Sequence, residues 1–179
     1  MISEKLNAAL GNVETTYKDL VDVANGMLAP MFDPINQLVS EINTKVNAMP
    51  VEQIRDYILQ LQLKAFEISE TKEKAALKAE LAETLQKERF AISFSGLEGS
   101  AAVKEKLALV DTSAEYVSEA LYNLIANLLK TKVDQLHRLV DALKSILMSR
   151  MQETKFMNVG SSLDVPTPQG QVYGTPTKF

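Results

Sequence analysis

The sequence contains no cysteine, no tryptophan and only one histidine in 179 residues. Without cysteine there are no disulfides, thiolate metal sites, iron–sulfur clusters or cysteine nucleophiles. The lone imidazole, His137, excludes any centre that needs two. Aromatic residues make up 6% of the chain, which is sparse for a β-sandwich or a compact α/β enzyme. No apolar run reaches the length that spans a bilayer, so no membrane partner is expected. The opening MISEKLNAALGN lacks the basic-then-apolar build of a secretory signal. A cytoplasmic or assembled-particle location is therefore expected. The formal net charge is −4, so overall charge does not favour indiscriminate nucleic-acid binding.

Glycine and proline are also few, seven and six, and they are clustered. Neither occurs between Pro50 and Gly96, nor between Gly99 and Gly160. Two long helices follow, over roughly 51–94 and 113–156. In the first, Ile54, Ile58, Leu61, Ala65, Ile68, Ala75, Ala79 and Ala82 recur in alternating steps of four and three, broken only at Lys72. Pro50 suits its start, and Glu52 favours the helix dipole in its first turn. In the second, Val117, Leu121, Leu124 and Leu128 form one run. Leu129, Val133, Leu136, Val140, Leu143 and Leu147 continue it, offset by one. Thr112 and Glu115 have capping-box spacing at its start. Gly96–Gly99 predicts the turn between the rods, with a short helix at 101–110. Gly26, Pro30 and Pro34 divide the first fifty residues into two predicted helices, 3–26 and 34–48.

The expected architecture is all-α: a long antiparallel helical hairpin over 51–157, an N-terminal helical segment over 1–50, and an extended Pro/Gly-rich tail over 158–179. Such a tail cannot build a core of its own. If it lies along a partner, Val165, Val172, Tyr173 and Phe179 are its candidate anchors. The rods carry more apolar surface than one hairpin covers, so a homo-oligomer is expected.

Signatures of chemistry are missing. There is no GxGxxG and no GxxxxGK[ST] to cradle phosphate. His137 has Asp134 and Asp141 at helical spacing, which reads as a solvated charged face. No converging polar set suggests catalysis, so an enzyme, a metal or another cofactor is not expected. Charge is more informative. Residues 130–155 carry six basic and three acidic side chains in an otherwise acidic chain. Lys130, Lys132, Arg138 and Lys144 are candidate phosphate contacts, expected to be exposed on related faces. Lys78, Lys104 and Lys106 are the alternative set.

Residues 57–156 resemble phage recombination mediators of the UvsY type. The likeness rests on Ala76-Leu77-Lys78-Ala79-Glu80-Leu81 in a charged helix, and on Lys104–Lys106 followed by Val110-Asp111-Thr112-Ser113 and Tyr116. A long Leu/Lys helix then closes the domain. The resemblance implies an all-helical, ring-forming protein that binds single-stranded DNA, meets the single-strand-binding protein and loads a RecA-type recombinase. Lys78 falls on a basic family position used for DNA, whereas the next such position is Glu80 here. The alternative expectation is a structural component of a tailed-phage virion, contacting capsid, portal or tail proteins.

Overall fold

The computed structural model describes residues 2–160 and contains α1 (Ile2–Lys45), a 3₁₀ turn (Val46–Ala48), α2 (Val51–Gly96), α3 (Ala101–Asp111) and α4 (Ser113–Gly160). No strand occurs among the described residues. The tail anchors Val165, Val172, Tyr173 and Phe179 lie outside them. At about 1.5 Å per residue, α2 and α4 are rods of about 70 Å. They run antiparallel, and α1 lies alongside, parallel to α4. No helix among the described residues is long and apolar enough to cross a membrane.

The hairpin forms along the stripes that the sequence marks. Ile54, Leu61, Ala65, Ile68, Ala75, Ala79 and Ala82 of α2 are buried, as are Leu129, Val133, Leu136, Val140 and Leu143 of α4. Each fully buried Leu or Ile contributes roughly 1.5–3 kcal/mol relative to exposure. Lys72, the break in the α2 stripe, stays half-buried and pairs with Glu73 at 2.8 Å. The alanines shorten the reach across the seam, so the bulkier Tyr122 and Ile125 fit beside Ala75.

The N-terminal segment departs from expectation. One helix, α1, runs through both Pro30 and Pro34 in place of two shorter helices. Each proline deprives a carbonyl four residues back of its N–H partner. Both prolines are exposed, on a side of α1 where the freed carbonyls are open to solvent. The opposite side of α1 supplies Ala24, Leu28, Ile35 and Ile42 to the hairpin's own core. The Leu121, Leu124 and Leu128 run of α4 is half-buried against the same core, which explains its offset from the α2-facing stripe.

Three local devices hold the helices in place. Arg150 of α4 donates to the carbonyls of Val46 (2.7 Å), Asn47 (2.8 Å) and Met49, where α1 ends. Glu41 of α1 takes a hydrogen bond from Lys45 at 2.7 Å, and Lys45 together with the Tyr57 hydroxyl draws its carboxyl below the usual range. At the far end Gly99 adopts φ +119°, a conformation that favours glycine, and reverses the chain into α3. Thr112 is fully buried. Its hydroxyl donates back to the Ala108 carbonyl at 3.1 Å and does not cap α4 as the capping-box spacing suggests. Only this residue separates α3 from α4, and both its N–H and its hydroxyl donate to the Ala108 carbonyl, closing the end of α3. Glu115 instead pairs with Arg89 of α2, which holds its carboxyl below the usual range.

Candidate nucleic-acid interface

α1 covers one side of the α2–α4 seam, and the other side stays open as a groove. Gln62, Ala65, Phe66 and Ser69 of α2 face His137, Val140, Asp141 and Lys144 of α4 around a space of about 530 Å³. Ala65 and Val140 are buried and form an apolar floor. The small Ala65 side chain is what leaves depth there. The ring of Phe66 is 72% exposed on one wall. Ser69 donates to the Ala65 carbonyl at 2.8 Å, so its hydroxyl is turned into its own helix. On the opposite wall Lys144 reaches Asp141 at 3.3 Å, with both side chains largely in solvent.

Lys130, His137 and Lys144 are seven residues apart and share one face of α4. His137 and Lys144 line the groove, and Lys130 extends their row along the same face of α4. An exposed aromatic face beside such a row suits a flexible polyanion with flat bases: the ring stacks a base while the cations meet phosphates. Asp134 and Asp141 lie next to the row and temper its charge.

The other candidates lie elsewhere. Lys132 follows Lys130 by two residues, about 200° further round the helix. It faces α1, with its ammonium 5.3 Å from the centre of the Phe32 ring and donating to Asn36 Oδ1. Burial lowers its pKa. The expectation that Lys132 is exposed beside Lys130 is therefore corrected: helical rotation turns it into the α1–α4 contact. Arg138 is exposed but about 80° away from Lys130. Lys78 sits on the α1 side, 5.1 Å from the Tyr122 ring centre. Lys104, half-buried, and Lys106, exposed, belong to α3 at the turn end. The seven lysine and arginine candidates thus form no single track, and only Lys130 and Lys144 share the groove face.

Phe66 went unnoticed in the sequence because the basic stretch of α4 contains no aromatic residue. Its partner ring comes from α2, and antiparallel pairing alone brings it there. The signal available was an aromatic residue outside the α2 stripe, one position after Ala65. Compared with known proteins, the chain matches no family model, no curated protein and no solved structure.

Proposed function

We propose that this is a non-enzymatic helical protein that binds single-stranded DNA along the outer α2–α4 groove and acts as a recombination mediator, loading a RecA-type recombinase onto that strand. The observation that carries the reading is the exposed Phe66 side chain across the groove from His137 and Lys144, with Lys130 one heptad further along the same face of α4. The resemblance of residues 57–156 to phage mediators supports it independently. In this reading single-strand-binding protein and recombinase are the protein partners.

The test is retardation of a single-stranded oligonucleotide by the full chain at low salt. The groove supplies few cations, so binding depends only moderately on salt: with two phosphates neutralised, by Lys130 and Lys144, the slope of log K against log salt is about −1.4. The variant K130E/K144E is expected to lose retardation and keep its helical content. An oligonucleotide that migrates freely with the wild-type chain would overturn the proposal.

A second reading, a virion structural component, is favoured by the scatter of the candidate cations, which form no single basic track among the described residues. It predicts stoichiometric presence in purified particles and no retardation.

A further inference from the structure

The face of α2 opposite its buried stripe carries two apolar patches, one on either side of a charged stretch at Glu67, Glu70 and Lys74. Leu59, Leu63, Leu77, Leu81 and Leu85 are 44–63% exposed there. In projection they fall within about 80° of one another, on the side away from Ile54, Leu61 and Ile68. Phe66 stands at the margin between this stripe and the groove. A helix that is apolar on two opposite sides has a partner on each. One side has α4.

We infer that the other side is covered by α2 of a second copy, running antiparallel about a two-fold axis at the level of Lys72. Four of the five leucines match about that level, while Leu77 comes level with the partner copy's Glu67, whose carboxylate Lys64 holds at 2.8 Å. Leu59 and Leu85 lie thirteen residues either side of Lys72, and Leu63 and Leu81 lie nine either side. An isologous pair about a two-fold axis requires this kind of match, since each patch must fit itself reversed. Charge agrees with the same register. Glu70 comes level with the partner copy's Lys74, two residues either side of Lys72. Within one chain Lys74 already reaches Glu70 at 2.6 Å with both side chains in solvent, so the same groups can exchange across the axis. A parallel in-register pair would instead set Glu70 beside Glu70 and Glu67 beside Glu67, which is repulsive. The overlap from Leu59 to Leu85 is about 40 Å long at helical rise. Lys130, His137 and Lys144 lie on α4, away from this face, and Phe66, about 20° from Leu59 and Leu77 in projection, borders the dimer contact on the groove side.

The inference is independent of DNA binding, and its test needs no DNA. The chain has no cysteine, so L63C and L81C each introduce one thiol. The wild-type chain is expected to sediment as a dimer or a multiple of dimers at micromolar concentration. Mixing L63C with L81C and adding a short bis-maleimide is expected to give a 63–81 cross-link, with little 63–63 product. The variant L63E/L81E is expected to halve the mass at unchanged helicity, since both positions are exposed within one chain. A wild-type monomer, a dominant 63–63 cross-link, or a mass indifferent to L63E/L81E would each overturn it. Failed retardation with an intact 63–81 cross-link would remove the DNA reading alone.

Discussion

Replacing Arg150 with alanine tests how α1 is fastened to the hairpin. A helix that stops leaves its last carbonyls without intrahelical donors. In the 3₁₀ turn that follows α1 and just past it, one guanidinium from α4 serves three such open carbonyls, at Val46, Asn47 and Met49. Hydrogen bonds from a charged donor contribute about 1.5–3 kcal/mol each when water cannot replace them. The contact to Asn47 is exposed, so water takes it over; those to Val46 and Met49 are half-buried. Not all of the charge is removed from water, so the lower end of the range applies to each. The expected loss for R150A is about 3 kcal/mol. R150K keeps a donor but not the fork that reaches several carbonyls together, and loses about half as much. Urea denaturation followed by circular dichroism reads this as a lower midpoint with unchanged slope. A loss below about 0.5 kcal/mol, the size of an ordinary surface substitution, would refute the claim that this side chain anchors the α1–α2 corner.

Leu136, 1% exposed in the middle of the seam, is expected to cost about 2–5 kcal/mol when replaced by alanine, checked by the same denaturation. Acid is expected to loosen the bundle. Lys45 and Tyr57 lower the Glu41 carboxyl, Lys74 lowers Glu70, and Arg89 lowers Glu115, all from 4.5. The unfolded chain therefore takes up these protons first as pH falls. Their contribution is complete above pH 4.5 and disappears as pH drops through the folded values, so the thermal midpoint should be flat near neutrality and fall below pH 4.5.

The hairpin was legible because its seam is periodic. Leu61, Ile68 and Ala75 repeat every seven residues, as do Leu129, Leu136 and Leu143, and no proline or glycine interrupts either run. The continuity of α1 was not legible. Pro30 and Pro34 read as breaks locally, and only the burial of Leu28 and Ile35 on the opposite side shows what holds the helix through them. The candidate groove was half legible. Lys130 and Lys144 were identified from charge alone. Phe66 belongs to a different helix, and Lys132 is separated from Lys130 by helical rotation that a count of charges ignores. Side chains that meet across an antiparallel seam carry no mark of it in linear order.

The most direct measurement of the central claim is fluorescence from an F66W variant. The chain has no tryptophan, so the new indole is a unique reporter at an exposed position on the groove wall. Titrating a single-stranded oligonucleotide at low salt is expected to quench its emission as a base stacks on it, and added salt should restore it. Emission that stays constant while the same oligonucleotide is retarded, or a chain that never retards it, would contradict the account.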